Sequence, residues 1–335
     1  MPTPSRRLRF ALAAVAVAGV AAALVFAFPP AASSHPATPG SLGVAKGSDV
    51  LEAVVDTPGP VTVETVVAAD WVGPRSGLLD LDDPAAKAAG LKDGDEPIQI
   101  YFHALRHPSR GLFVVDTGVE AAQRDAPDRA LLRGLVARAM RVDALRVVHD
   151  LGGWLAAQTA PPAGVFLTHL HLDHISGMRD VPAEVPVYTG PGETKAGSVL
   201  HLASRSIVDE ALGGKGPLRE WPFAREEGGA FEAVLDVFGD ESVWALHVPG
   251  HTPGSTAYLA RTPGGPVLLV GDASHTVWGW EHGVAPGGFS LDRRRSTESL
   301  RRLKAFVARH PRIDVRLGHQ RLTDAAPAPA PPPAP

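Results

Sequence analysis

The chain has 335 residues, no cysteine and a formal net charge of −4. The lack of cysteine excludes disulfides, thiolate metal ligands and cysteine-linked lipid, and without a long basic run there is no cationic face for a nucleic-acid partner. Hydrophobic residues make up 44% and charged residues 20%, a globular balance, and the length suits one large domain or two small ones.

The chain opens with Arg6, Arg7 and Arg9 ahead of an uncharged apolar run over residues 10–28. A basic segment followed by an apolar one is the order of an export signal, and the run is long enough to cross a bilayer as a helix. The positive flank stays in the cytoplasm, so the bulk of the chain faces out. Residues 1–34 therefore read as a signal peptide or an N-terminal membrane anchor, with small residues at 31–34 as a cleavage candidate. The protein is expected to be exported, either secreted or held at the cell membrane through residues 10–28. Residues 35–60 are rich in Pro, Gly, Ala and Ser and read as a flexible linker. Residues 61–323 read as the catalytic domain and 324–335 as a Pro/Ala-rich disordered tail.

Within the domain, β-branched residues at 60–72 predict a strand. Apolar runs at 98–107 and 111–118, separated by a Pro/Gly turn, predict a hairpin. Residues 130–142 have helical character. Short buried strands are expected in "GVFLTH", "SVWALHVPGH", "PVLLVGDA" and "IDVRLGH". Leu300, Leu303, Phe306 and Val307 share one face of a helix expected to start near Ser296/Thr297 and end at Pro311. The polar, glycine-containing segment 194–241 reads as an insertion covering the core, not as core sheet. Strand blocks alternating with helices place the chain in the α/β or α+β class with buried sheets.

The densest chemistry lies in "VFLTHLHLDHISG", residues 165–177, where His169, His171, Asp173 and His174 follow H-x-H-x-D-H. In an extended segment side chains alternate, so His169 and His171 point the same way. Asp173 and His174 follow where the chain bends into a helix start and face a second point nearby. Two groups of ligand-type side chains aimed at two close points suggest two metal ions. His251 in "VPGHTPGST", Asp272 in "LLVGDAS" and His319 in "RLGHQ" stand at strand ends beside glycines that allow close backbone approach. Each alone reads as a polar turn residue, but together they complete a set.

Five stretches in this order, "LFVVDTG", "VFLTHLHLDHISG", "HVPGHTPGS", "LLVGDA" and "RLGH", resemble the metallo-β-lactamase-fold hydrolases over about residues 61–323. The resemblance implies a four-layer αβ/βα sandwich of two mixed β-sheets flanked by helices, with metals at one edge. It implies one metal on His169, His171 and His251, a second on Asp173, His174 and His319, and Asp272 bridging both. Asp116 matches a position that supports the ligands, with a turn residue capping local amides as the alternative. Ligands that are all nitrogen and oxygen suit zinc, two ions per chain, with iron or manganese as substitutes. The family's β-lactamases generally lack an aspartate at the Asp272 position, which argues against antibiotic hydrolysis. The stretch around Asp272 is most similar to the acyl-homoserine-lactone lactonase branch. There a tyrosine stands three residues after the bridging aspartate; here that position is His275, a candidate donor to a developing oxyanion or an ordinary surface residue.

Two cations a few ångströms apart can hold a hydroxide at neutral pH, because metal binding lowers the pKa of water from 15.7 toward roughly 7. The expected reaction is hydrolysis of an ester, lactone or thioester in a small-molecule substrate, with Asp173 shuttling a proton. Trp278 and Trp280, and likewise Trp221 and Phe223, are either apolar pocket walls or residues buried to pin their own segments. His103, His107, His149, His201, His247 and His310 lack a motif and read as structural or exposed. Two other functions remain open. Persulfide dioxygenases resemble this fold and bind one iron through the equivalents of His169, His251 and Asp272. A non-catalytic, membrane-tethered binding protein is disfavoured by the complete ligand set.

Overall fold

A computed structural model describes residues 29–322 apart from Leu200. The expected export run over residues 10–28 and the expected tail over 324–335 lie outside the described residues, as do residues 1–9 and 323. The strands, in chain order, are β1 (Ala37–Pro39), β2 (Val44–Lys46), β3 (Thr62–Pro74), β4 (Asp95–His107), β5 (Gly111–Val115), β6 (Arg146–Val147) and β7 (Gly164–Phe166). They continue with β8 (Val187–Thr189), β9 (Leu218–Glu220), β10 (Val234–Asp236), β11 (Val243–His247), β12 (Thr256–Thr262), β13 (Gly265–Leu269) and β14 (Asp314–Arg316). They form an eight-stranded sheet, β1-β9-β8-β7-β5-β4-β3-β6, and a six-stranded sheet, β14-β13-β12-β11-β10-β2.

The apolar runs read from the sequence become the inner strands. β3 and β4 pair antiparallel along their length with a bulge between Val67 and Ala69, and β4 turns at residues 107–111 into β5 as expected of the hairpin. β5, β7 and β8 pair in parallel and are buried on both faces, which is why their sequences are continuously apolar. Phe113, Val115 and Phe166 from one sheet meet Leu235, Ala245, Tyr258 and Leu269 from the other. Phe166 stacks on Phe113 at 4.9 Å and on Tyr258 at 5.7 Å. Each large side chain so buried contributes roughly 1.5–3 kcal/mol. The helix Ser48–Val54 and the helix Arg293–Arg309 cover the outer face of the second sheet. Leu151 and Trp154 from the helix Leu151–Ala156 and Val208 and Ala211 from the helix His201–Ala211 cover the first. Helix, sheet, sheet and helix make the four layers.

Several boundaries differ from the sequence expectation. Residues 35–60 are not a flexible linker. β1 pairs in parallel with β9 at the edge of the first sheet, and β2 pairs antiparallel with β10 at the edge of the second. Leu51 and Val55 are fully buried, and Asp56 accepts from His310 at 2.7 Å. Edge strands can be short and can carry proline, so a Pro/Gly-rich composition does not preclude them. The segment 194–241 likewise contributes the helix His201–Ala211, β9 and β10, and β10 lies inside the second sheet. The helix expected over 130–142 shrinks to Gly134–Ala139, between Gly134 at φ +61° and Arg141 at φ +56°, where the chain leaves helical geometry. The last long helix starts earlier than expected because the Asp292 side chain accepts from Arg295 N at 2.9 Å and caps it. Residues 29–34 pack on the domain: Ser33 N donates to Thr194 O at 3.1 Å, and Ser34 Oγ donates to Asp209 at 2.5 Å.

Candidate metal centre

The site sits where parallel strands of the first sheet end. β5 runs into Asp116, a non-glycine residue at φ +55° that makes the turn, and β7 runs into Thr168 and His169. His171 caps the short helix Leu172–Ile175 with extended backbone (φ −71°, ψ 152°), so Asp173 and His174 fall in its first turn. That is the bend expected from the H-x-H-x-D-H spacing. The loops after β11, β13 and β14 deliver His251, Asp272 and His319. Gly318 permits the last approach, since a Cβ there would stand 2.4 Å from Asp272 Oδ1.

The seven residues converge as two groups. One ligand atom each from His169, His171, His251 and Asp272 lie within 4.8 Å of one another, and so do those from Asp173, His174, Asp272 and His319. Asp272 is the shared member, and its two oxygens divide the work. Oδ2 is 3.5 Å from His169 Nε2 and 3.3 Å from His251 Nε2; Oδ1 is 3.3 Å from both His174 Nε2 and His319 Nε2. His169 Nε2, His174 Nε2 and Asp272 Oδ1 are buried without a hydrogen-bond partner. Buried polar atoms are rarely left so, and here all three point into the same space, which a cation would satisfy.

The far ring nitrogens are held by neighbours. His174 Nδ1 donates to Asp116 Oδ2 at 2.8 Å, and His319 Nδ1 donates to the Gln99 carbonyl at 3.0 Å. His169 Nδ1 lies 3.1 Å from Thr168 Oγ1, which itself donates to Asp116 Oδ2 at 2.8 Å. His251 Nδ1 lies 3.3 Å from Ser290 Oγ. These contacts leave Nε2 of each ring facing the centre, the orientation a metal ligand needs. Asp116 thus grips both Thr168 and His174, the supporting position implied by the resemblance.

The electrostatics of the metal-free site split the same way. Burial pushes His169, His171 and His251 down, His171 to about 3. Burial also opposes charge on His174 and His319, but Asp272 and its carboxylate neighbours outweigh it and raise both, His319 to about 10. Asp272 and Asp173 are held below the usual carboxylate range: burial disfavours their charge, and the surrounding histidines more than compensate. The Asp173 side chain keeps 21% of its exposure and His171 is half-buried, whereas the other five are buried, so the centre opens on the Asp173 side.

His275 is fully enclosed beside this cluster. Its Nδ1 donates to the Leu78 carbonyl at 2.8 Å, and its Nε2 lies 3.0 Å from Asp272 Oδ2 with no hydrogen-bond partner. The surface alternative for His275 is therefore ruled out. With Nδ1 carrying the proton, the neutral ring presents a lone pair at Nε2, so the expected donor role belongs only to its cationic form. The tryptophans are accounted for by packing. Trp221 lies between the sheets, donating to Tyr258 Oη at 2.9 Å and stacking on Tyr188 at 4.8 Å. Trp280 packs on the outer cluster of the second sheet, Trp278 stacks on His282 at 4.2 Å, and Phe223 stacks on His247 at 5.2 Å. His103, His107, His149, His201 and His247 bond to Thr65, Asp240 and the carbonyls of Val67, Pro30 and Pro253, and none joins the cluster. Not foreseen from the sequence are Ser290, which acts through its hydroxyl, and Gln99 and Leu78, which act through a backbone carbonyl that any residue type supplies.

Comparison with known proteins agrees with this geometry. A model of the family described as the metallo-beta-lactamase superfamily matches residues 96–319, a span that holds all seven residues. The N-acyl homoserine lactonase AttM of Agrobacterium fabrum is 28% identical over 160 residues, 44% of this chain and 54% of that protein. The chain thus spans about half the length of the curated relatives it matches. Among solved structures, a quorum-quenching N-acyl homoserine lactone lactonase aligns with a TM-score of 0.54 and 18% identity over 79% of this chain and 94% of that one. AidC, a dizinc quorum-quenching lactonase, aligns with a TM-score of 0.54 and 15% identity, covering 84% and 92%. At such identities these structures speak for the fold alone. With the family model spanning most of the chain and the ligand cluster inside it, this protein belongs to the metallo-β-lactamase superfamily.

Proposed function

We propose that this chain is a metal-dependent hydrolase, dinuclear and loaded with zinc, that opens a lactone or a related ester. One observation carries the reading: Asp272 turns a separate oxygen to each of two complete ligand groups. The lactone preference is supported by the N-acyl homoserine lactonases among the curated relatives. A bound pair of divalent cations supplies Lewis acidity and lowers the pKa of water toward roughly 7. His169, His171, His251 and Asp272 would hold one ion, and Asp173, His174, His319 and Asp272 the other.

The chain's own residues do the rest. Asp173 is ionised, its Oδ2 lies 3.2 Å from His319 Nε2, and its exposed edge faces the opening. It takes a proton from the attacking water and returns it to the oxygen that leaves the acyl carbon. His275 borders the shared carboxylate from within the site, its Nε2 3.0 Å from Asp272 Oδ2. The mononuclear-iron reading is not favoured, because the family match and the lactonases among the curated relatives point to hydrolysis. Export is a separate proposal resting on the basic-then-apolar order of residues 6–28. Recovery of the full-length protein only in the soluble cytoplasmic fraction would overturn it.

The test is a hydrolysis screen of lactones, aryl esters and thioesters with metal content measured on the same sample. Asp173→Ala should lower turnover by about 10²–10⁴, the usual worth of a general acid–base group, with the circular dichroism unchanged. His171→Ala should do likewise through loss of metal. Full activity in both variants would reject the assignment.

A further inference from the structure

Glu193 is a buried carboxyl near the centre that the candidate ligand groups do not account for. Its side chain is 1% exposed and is not among the ligands. It follows β8 through Gly190, whose backbone lies so close to the next segment that a Cβ there would stand 1.7 Å from the Gly254 carbonyl. Burying a carboxylate is costly unless donors surround it. Here there are three. Oε1 accepts from Thr252 Oγ1 at 2.5 Å and from Gly254 N at 2.7 Å; Oε2 accepts from Leu170 N at 3.0 Å. Even so, burial raises the carboxyl to about 7.

The three donors are not scattered. Leu170 lies between His169 and His171, and Thr252 and Gly254 fall in the turn that follows His251. One carboxylate therefore ties together the two segments that bring the three histidines of one ligand group. None of its bonds reaches the helix carrying Asp173 and His174 or the turn carrying His319. We propose that Glu193 is a positioning residue that selectively sets the metal affinity of the His169/His171/His251 group. This rests on the dinuclear reading above, and it adds a residue without which one half of the centre is loosely held. The bonds of Glu193 to two backbone amides and one hydroxyl fix the segments without touching the ion.

The experiment uses purified protein stripped with a chelator and titrated with Zn²⁺ against a chromophoric competitor. Wild type should take up two ions. His319→Ala isolates the three-histidine group and His251→Ala isolates the other. In the His319→Ala background, Glu193→Ala should weaken the remaining ion about 10- to 100-fold, the usual effect of removing a partner that orients ligands. In the His251→Ala background it should change little. Glu193→Gln should fall between, since its amide accepts from Thr252 and Gly254 but turns a donor toward Leu170 N. Thr252→Val, which removes one bond and leaves the carboxylate, should shift the same group by less, and it carries the test if Glu193→Ala does not fold. Equal weakening in both backgrounds, or none in either, overturns the proposal. A wild type that takes only one ion defeats the dinuclear reading, while a Glu193-dependent affinity for that ion still upholds the positioning role.

Discussion

The two ligand groups differ in what they must give up to take a metal. His169, His171 and His251 are held neutral by burial, so their lone pairs are free at neutral pH. His174 and His319 sit against Asp272, Asp116 and Asp173 and hold protons in the metal-free protein. A cation must displace those protons, since a histidine ligates only when neutral. With His319 raised to about 10, affinity at its group should rise with pH up to that value, while the other group should be nearly flat from neutral pH upward. The same sign governs stability without metal. A histidine whose folded pKa is raised stabilises the fold fully below its unfolded value near 6.5, and the contribution is lost as pH rises through about 10. Calorimetric zinc titrations at pH 7, in buffers of different ionisation enthalpy, should show at least about two protons released on full loading, one from each raised histidine and a further fraction from water whose pKa the ions lower. No release would mean that the rings are already neutral. The seven residues that converge were legible in the sequence because imidazole is scarce, at 14 of 335 residues, and because the spacing of H-x-H-x-D-H matters. Glu193 and Ser290 were not, because their contribution depends on which backbone lies beside them after folding.

At the level of elements, the segment that reads as a linker carries weight. The helix Ser48–Val54 places Leu51 against Phe231, Leu303 and Phe306 on the outer face of the second sheet. β1 and β2, which precede it in the same segment, close one edge of each sheet. Leu51→Ala should therefore cost about 2–5 kcal/mol, the range for a fully buried leucine. Denaturant unfolding measures this, and a loss under 0.5 kcal/mol, normal for a surface site, would show that the segment is dispensable. The strands of the inner sheets were readable because burial on both faces demands continuous apolar runs, as in "LFVV" and "GVFL". β1, β2 and β9 are three residues each and partly exposed. Pairing partners, not composition, make them strands, and a single sequence does not display partners. The helix Gly134–Ala139 shows the opposite failure: local propensity extended it, and the positive-φ residues Gly134 and Arg141 cut it short.

For the whole molecule, the question is whether the metal centre holds the fold or the fold holds the centre. Three apolar clusters span the layers, and the centre occupies one rim. The core's burial does not pass through the ligands, so the stripped protein should stay folded. It should still be weaker, because an ion that binds only the folded state stabilises it by mass action, about 4.1 kcal/mol per site at a thousandfold excess over Kd. For a domain of this size that corresponds to a fall in melting temperature on the order of 10 °C when one site is emptied. Stripping also leaves Asp272 and Asp173 to be balanced by protons on His174 and His319 alone, so the loss should grow as pH rises toward 10. Thermal melts followed by circular dichroism, with and without chelator at pH 7 and pH 9, test both parts. Secondary structure that collapses on chelation at 25 °C would mean that the ions, not the two sheets, hold the chain together.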